Sequence, residues 1–107
     1  METLLRIKRL VVRGHIRFTV KAYAEMDADD LGTADVSESI LNAQAIDKTL
    51  RSRSPARPSR TEKLYVIKSF NYSGTLIYTK GKIAREPEGE VFYVLVSAKV
   101  ATYNGGT

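Results

Sequence analysis

The chain has 107 residues, no cysteine and one histidine, and its 17 Lys and Arg outnumber its 12 Asp and Glu. This length supports a single domain, residues 1–107, with one modest core. The lack of cysteine excludes disulfides and thiolate metal sites, and one histidine excludes a two-histidine acid–base mechanism within one chain. No apolar run reaches the roughly 20 residues of a membrane helix and no secretory signal is visible, so we expect a cytoplasmic protein without a membrane partner.

The charges are arranged in blocks along the chain. Residues 1–21 hold six bases and one acid, residues 22–47 hold seven acids and no base, and residues 48–107 hold eleven bases and four acids. This distribution predicts a dipolar molecule with an acidic edge and a basic face. A basic face is the electrostatic signature of a phosphate binder, although a domain with an uneven charge and no such role would have the same pattern.

The first part of the chain has the periodicity of helices. Apolar residues at helical spacing predict a helix over 3–13 that ends at Gly14. Thr19 is a suitable N-cap for a second helix over 20–27. The residues expected to be buried on this second helix are Val20, Ala24 and Tyr23.

A third helix is predicted over 34–42, because Thr33 can cap it and Asp35 lies in the first turn, where the helix dipole favours an acid. Residues 44–50 weakly favour a short strand. The next segment, 51–61, is rich in arginine, serine and proline, so we expect an exposed, flexible basic loop without regular structure. Such a loop is either a flap that grips phosphate or a solvated connector.

Three β-type runs complete the domain, over 62–70, 75–83 and 90–101. Turn signals separate them at 71–74 and at 87–89. Helices followed by an antiparallel meander predict an α+β fold, with N-terminal helices packed on a C-terminal antiparallel sheet of three to four strands. The expectation for the last residues, 104–107, is a frayed tail.

Lysines and tyrosines are threaded through these strands. Because side chains alternate between the two faces of a sheet, Leu76, Tyr78, Lys80 and Lys82 are expected on the same face. An apolar core has no use for several ammonium groups, whereas the phosphates of RNA bind them. The sequence therefore predicts a nucleic-acid surface on one face of the sheet.

An ordered series of segments resembles the MqsR-type bacterial toxins, which are small mRNA-cleaving enzymes with a RelE-like fold. The similarity extends from about residue 4 to residue 102, and parts of it also resemble a related uncharacterised bacterial family. The segments that carry it are 7–11, 17–19, 28–32, 46–50, 62–67, 76–83 and 94–102.

The resemblance implies a toxin of a toxin–antitoxin pair whose partners are RNA and a neutralising antitoxin, in that family one with a zinc-binding domain and a DNA-binding domain. On the family pattern the catalytic residues fall on Lys48, Tyr78 and Lys99. The catalytic glutamine of the family has no clear counterpart here. The nearest positions are Lys63 and Leu64, so that role is either lost or taken by Lys63.

RNA cleavage must remove a proton from the 2′-hydroxyl, stabilise the phosphorane and protonate the leaving 5′-oxygen. In this hypothesis Tyr78 or Lys48 takes the first proton, and Lys99 stabilises the phosphorane or protonates the leaving oxygen. The chemistry needs no metal ion and no cofactor. The residues expected to bind RNA phosphates are Lys63, Lys80, Lys82, Arg85, Arg51 and Arg53.

Other interpretations stay open at this point. A nucleic-acid-binding or protein-interaction module without catalysis would have the same basic sheet, and an exposed strand edge could instead pair with a protein partner. His15 is either an acid–base residue or a turn histidine near a helix C-terminus. The acids Glu25, Asp27, Asp29 and Asp30 suggest a solvated acidic edge rather than a cation site.

Overall fold

Three α-helices and five β-strands follow one another in the computed structural model, which describes residues 2–54 and 57–102, with side chains except at 53, 54 and 57–60. The helices are α1 (Glu2–Val12), α2 (Val20–Ala28) and α3 (Thr33–Asn42). The strands are β1 (Ile16–Phe18), β2 (Lys48–Ser54), β3 (Arg57–Phe70), β4 (Leu76–Arg85) and β5 (Val91–Val100).

The strands form one sheet in the order β1-β5-β4-β3-β2. Strands β2 to β5 form an antiparallel meander, and β1 pairs in parallel with β5. The α+β class is therefore confirmed. The expected three to four antiparallel strands were too few, because the sheet of the described chain has five strands and is mixed.

Strand β1 was missed because it is only three residues long. Its pairing with β5, near the end of the chain, holds it in the sheet: Ile16 is opposite Tyr93, and Phe18 is opposite Leu95. The backbone N–H of Thr19 continues this pairing by donating to the carbonyl oxygen of Leu95 at 3.0 Å. A parallel pairing between residues this distant in sequence leaves no local pattern that a window of the sequence could detect.

The core lies between the helices and one face of the sheet, which we call the helix face. The helices contribute Leu4, Ile7, Met26, Val36 and Ile40 to it, and each is at most 2% exposed. The sheet contributes Ile67, Tyr93, Leu95 and Ala98. Burying each large aliphatic side chain contributes about 1.5–3 kcal/mol, so this layer provides most of the packing energy of the domain.

Helix α1 agrees with its sequence pattern. The predicted stripe of Leu4, Ile7, Leu10 and Val11 is buried. The helix ends at Val12, and the chain turns at Gly14 as expected. The φ of Gly14, 78°, lies in the left-handed region that glycine tolerates, and its N–H donates to the carbonyl oxygen of Val11.

Helix α2 begins where the sequence predicted, but the buried side was wrong. Thr19 caps it by accepting a hydrogen bond from the N–H of Ala22 at 3.1 Å. Ala22 and Met26 are buried instead of the three expected side chains. The parallel pairing of β1 fixes the direction in which the chain enters α2, and this sets the rotation of the helix. The three expected side chains, Val20, Tyr23 and Ala24, are all exposed.

Helix α3 begins at Thr33, and its N-cap is Gly32 rather than Thr33. The Asp35 carboxylate accepts a hydrogen bond from the N–H of Gly32 at 2.9 Å, in the first turn as expected. The strand expected over 44–50 begins later, at Lys48.

The segment expected to be an irregular loop, 51–61, was assigned wrongly over most of its length. Its described residues extend β2 to Ser54 and begin β3 at Arg57. The register shifts between the pairs Arg53–Thr61 and Ser54–Arg57, and Pro58 lies within this shift, where its missing N–H removes no regular ladder bond. Residues 55 and 56 and the tail 104–107 lie outside the described residues.

Candidate nucleic-acid interface

Three side chains form a row across the face of the sheet opposite the helices. Lys68 on β3 is directly opposite Tyr78 on β4, and Tyr78 is directly opposite Lys99 on β5. Directly opposed residues point to the same face, and this face is opposite to that of the buried Ile67, Thr79 and Ala98. We call it the open face.

The row is close enough for its members to interact. The Lys99 Nζ lies 5.4 Å from the centroid of the Tyr78 ring, within the range of a cation–π contact. Together with Ala101 and Thr102, the three side chains line a depression of about 290 Å³. The carboxylate of Asp47 lies 4.0 Å from the Nζ of Lys68, at the limit of an ion pair, and both side chains are about half exposed. The row therefore keeps most of its positive charge available.

Lys48, the third residue expected to be catalytic, lies on the open face but outside this depression. It is opposite Val66, and Val66 is opposite Lys80. Two strand spacings place the Cα atoms of Lys48 and Lys80 about 10 Å apart, with the buried Val66 between them. The structure thus brings Tyr78 and Lys99 together and places Lys48 at the border of the same surface.

The residues expected to bind RNA divide between the two faces. Lys80 and Lys82 lie on the open face, although the ammonium group of Lys82 pairs with the Glu62 carboxylate at 3.1 Å. Lys63 and Arg85 line a cavity with Arg6 of α1, so both lie on the helix face. Arg51 is opposite Lys63 and shares that face, whereas the side chain of Arg53 lies outside the described residues. Lys63 is therefore on the wrong side of the sheet to replace the missing glutamine beside Tyr78.

Lys68 and Phe70 are among the residues of the open face that were missed in the sequence. They occupy alternate positions on β3, and Phe70 is 51% exposed. The signal was present in the alternation of Val66, Lys68 and Phe70. It was ambiguous because the other face of β3 is equally rich in apolar residues, so the sequence did not indicate which face the helices cover.

His15 lies far from this row. Its Nδ1 is 3.1 Å from the carbonyl oxygen of Val91, and its ring stacks on Phe92 with centroids 5.0 Å apart. Phe92 is opposite Ala84, six residues along β4 from Tyr78, which corresponds to about 20 Å. His15 therefore cannot exchange a proton with a group bound at Tyr78.

The acidic residues of α2 cover the edge of β5 that β1 leaves free. The Glu25 carboxylate accepts hydrogen bonds from the Ser97 hydroxyl at 2.7 Å and from the N–H of Ala98 at 3.1 Å. Asp29 accepts one from the N–H of Val100 at 2.8 Å. Burial by itself raises the pKa of Glu25, but the hydrogen bonds from Ser97, Lys21 and Ala98 outweigh it and lower that pKa below its usual value. These acids have a structural role, because they satisfy donors of an exposed strand edge.

Comparisons with protein-family models, with curated proteins and with solved structures gave no match for this chain. Within residues 2–54 and 57–102, no helix is long and apolar enough to cross a membrane. No three acidic or histidine side chains of the described part lie close enough together to hold a metal ion. The fold and the open face thus define an α+β protein with a basic, aromatic sheet surface, and its function must be argued from that surface.

Proposed function

We propose that the protein binds single-stranded RNA on its open face and cleaves it without a metal ion at the depression formed by Lys68, Tyr78 and Lys99. The observation that carries this proposal is the row itself, in which a phenol lies between two ammonium groups on the sheet face that the three helices do not cover. A sheet face with this composition is suited to RNA, because lysines contact phosphates while aromatic rings stack on bases.

The binding half of the proposal depends on charge and shape. Lys48, Lys80 and the row form a band of cations across β2 to β5, and each contact with a phosphate releases counterions. Phe70 extends the band with an exposed ring next to Lys68. Unpaired bases can reach such a ring, whereas the bases of a duplex are stacked on each other. Single-stranded RNA is therefore the ligand that fits best.

The cleavage half depends on the contact between Lys99 and Tyr78. The Tyr78 oxygen acts as the phenolate: it takes the proton of the 2′-hydroxyl and becomes the neutral phenol, and the 2′-oxygen then attacks phosphorus. The bond from phosphorus to the 5′-oxygen breaks, and Lys99 delivers a proton to that oxygen. Lys68 and Lys99 stabilise the negative charge that develops on the phosphorane, which is usually the largest contribution in such a site. The products are a 2′,3′-cyclic phosphate and a 5′-hydroxyl.

The resemblance to MqsR-type and RelE-like toxins supports the biological setting. In that setting the protein is a cytoplasmic toxin that a cognate antitoxin neutralises, and the antitoxin would combine a zinc-binding domain with a DNA-binding domain. The resemblance places catalytic residues at Lys48, Tyr78 and Lys99, and the last two of these are in contact here.

A second candidate function is RNA binding without turnover. It is favoured by the lining of the depression, which contains no carboxylate and no histidine among its described residues. If the protein did cleave RNA, a phenol and two amines would have to perform all the proton transfers, which is demanding near neutral pH.

The test uses purified protein and a fluorescent single-stranded oligoribonucleotide in the presence of EDTA. The proposal predicts cleavage by the wild type, with loss of at least about 100-fold in rate for Tyr78→Phe and Lys99→Ala and with binding largely kept by Tyr78→Phe. Tyr72→Phe and Arg13→Gln are matched controls, because both residues are exposed and lie outside the depression.

Three outcomes separate the candidates. Cleavage that depends on Tyr78 and Lys99 supports the nuclease. Tight binding without cleavage, combined with normal growth of bacteria that express the chain, supports the binding module. Binding that is no weaker after Lys68→Ala and Lys99→Ala would reject the open face as the RNA surface.

A further inference from the structure

A second basic site lies on the opposite side of the sheet. Arg6 of α1, Lys63 of β3 and Arg85 of β4 surround a cavity of about 360 Å³. The three cations come from three different elements, and the fold brings them together. The remaining lining is Tyr65, Ile83 and Val91.

The cations of this cavity have no acidic partners in the described chain. Its lining contains no carboxylate, and none of the ion pairs formed by described residues involves Arg6, Lys63 or Arg85. Three like charges that line one cavity repel one another, so an anion that binds between them relieves this repulsion. Glu2 lies one turn before Arg6 on α1 but outside this lining.

The guanidinium of Arg85 is hydrogen-bonded to a neighbouring turn. Its guanidinium donates to the carbonyl oxygen of Gly89 at 2.9 Å, and the N–H of Gly89 donates in turn to the carbonyl oxygen of Glu86. A guanidinium held in this way presents its other N–H groups as a fixed fork, and this fork matches two oxygens of a phosphate.

The rest of the cavity is suited to a flat organic group. Tyr65 contributes a half-buried ring, and Ile83 and Val91 contribute an aliphatic wall. The volume lies within the range of small-ligand sites and is large enough for one nucleotide. A dianionic phosphate on a planar base would use both the cationic rim and the apolar wall.

We propose that the cavity between Arg6, Lys63 and Arg85 binds the phosphate monoester of a nucleotide, with the Tyr65 ring against its base. The source of this monoester is either a free mononucleotide or the phosphorylated 5′ end of an RNA strand. The site is separate from the open face, since Lys63 and Tyr78 lie on opposite faces of the sheet. Nucleotide binding in this cavity therefore does not depend on RNA cleavage at the open face.

The experiment uses the full chain labelled with ¹⁵N, titrated with each 5′-mononucleotide and with the corresponding nucleoside. Two 2′-O-methyl oligonucleotides of one sequence, with and without a 5′-phosphate, supply the strand-end probe and cannot be cleaved through a 2′-hydroxyl. The readouts are the Kd and the amide shifts of Tyr65 and Ile83. Each nucleotide is compared with succinate to separate phosphate recognition from simple attraction of a dianion.

We expect the 5′-phosphate to tighten binding by at least about tenfold, and Arg85→Gln or Lys63→Gln to weaken it by about tenfold each. Arg13→Gln removes a charge from the turn after α1, outside the cavity, and should change nothing. Lys68→Ala should leave mononucleotide binding unchanged although it weakens RNA binding, so failure of the open face would be recognised separately.

The two sources give different results. A gain from the 5′-phosphate for the oligonucleotide alone identifies a strand end, and a gain for mononucleotides alone identifies a free nucleotide. Absence of a gain from the 5′-phosphate in both the mononucleotides and the oligonucleotide, equal binding of succinate, or unchanged binding by Arg85→Gln would each overturn the proposal.

Discussion

The ammonium group of Lys99 lies over the ring of Tyr78, 5.4 Å from its centroid, because the two residues are directly opposed on β4 and β5. This pairing orients a cation and a phenol toward the same point of the open face. Lys68 is opposite Tyr78 from the other side, so the phenol has a cation on both neighbouring strands. The function of the surface depends on whether RNA reaches this row.

The first prediction concerns the salt dependence of RNA binding. Each lysine that contacts a phosphate of a single strand adds about −0.7 to the slope of log K against log salt. Lys99→Ala and Lys68→Ala should each reduce the steepness by about this amount and weaken binding roughly tenfold at low salt. Fluorescence anisotropy across a salt series measures both quantities.

Arg13→Gln is the control for this charge effect, since it removes one positive charge from the end of α1, away from the open face. A slope that changes as much for Arg13→Gln as for Lys99→Ala would mean that total charge, not this row, determines the affinity.

A second prediction tests Phe70 as a stacking platform. Removing its exposed ring with Phe70→Ala should weaken binding of a single strand by about 1–3 kcal/mol and leave the salt slope unchanged, because stacking is not ionic. The comparison variant is Tyr72→Ala, which removes an even more exposed ring, 69% against 51%, from the neighbouring turn. Equal losses in the two variants would contradict a specific role for Phe70.

The sequence predicted the order of elements better than their orientation. Thr19 and Gly14 could be interpreted locally, because a cap and a left-handed glycine act within one turn of the chain. Val20 could not, because its exposure depends on the pairing of β1 with β5, about 75 residues away. The α+β class therefore followed from local signals, and the fifth strand did not.

The candidate site was predicted in part for the same reason. Tyr78 and Lys80 alternate on one strand, so their common face could be inferred from spacing alone. Lys63 on β3 and Arg85 on β4 lie on the helix face instead. Placing them there required the register between β3, β4 and β5, which spacing along one strand does not give. The shift at Lys80 and Gly81 changes the register of β4 against β5, and no property of the sequence indicates such a bulge.

Gly81 provides a third prediction, which concerns stability. A Cβ at this position would lie 2.6 Å from the Cζ of Tyr93, whose side chain is fully buried and cannot move aside. Gly81→Ala should therefore destabilise the fold by about 1–3 kcal/mol or more, which urea denaturation detects. Gly32→Ala is the matched control, because its nearest neighbour would be an Asp35 oxygen at 3.6 Å and its φ of −93° is ordinary. A smaller loss for Gly81→Ala than for the control would contradict the contact.

The hydroxyl of Tyr93 leads to a fourth prediction. This buried oxygen has no hydrogen-bond partner among the described residues. Tyr93→Phe removes the unsatisfied group and should stabilise the fold by about 1 kcal/mol, as measured by urea denaturation at neutral pH. A loss of stability in this variant would show that the hydroxyl is satisfied in solution.

The same residue sets the response to alkaline pH. Burial, and then the nearby Tyr65, raise the pKa of Tyr93 well above its usual value. The unfolded chain therefore releases this proton at a lower pH than the folded protein does. The free energy of unfolding is unaffected by this group below about pH 10 and decreases as pH rises further, by up to about 1.4 kcal/mol per pH unit. Between pH 9 and 11 the wild type should lose more stability than Tyr93→Phe. Parallel curves would contradict the shift.

The last prediction concerns Glu25 and acidic pH. Its lowered pKa means that the folded state prefers the carboxylate, so its stabilisation is present above the usual pKa of 4.5 and is lost as pH falls through the folded value. Glu25→Gln keeps an oxygen for Ser97 and Ala98 but loses the charge, and it should be about 1 kcal/mol less stable at pH 7. The difference between the two proteins should shrink as pH falls below 4.5. Asp27→Asn, on an exposed position of α2, should show no such pH dependence. A difference between wild type and Glu25→Gln that is the same at pH 7 and pH 3 would mean that the carboxylate charge does not hold the edge of β5.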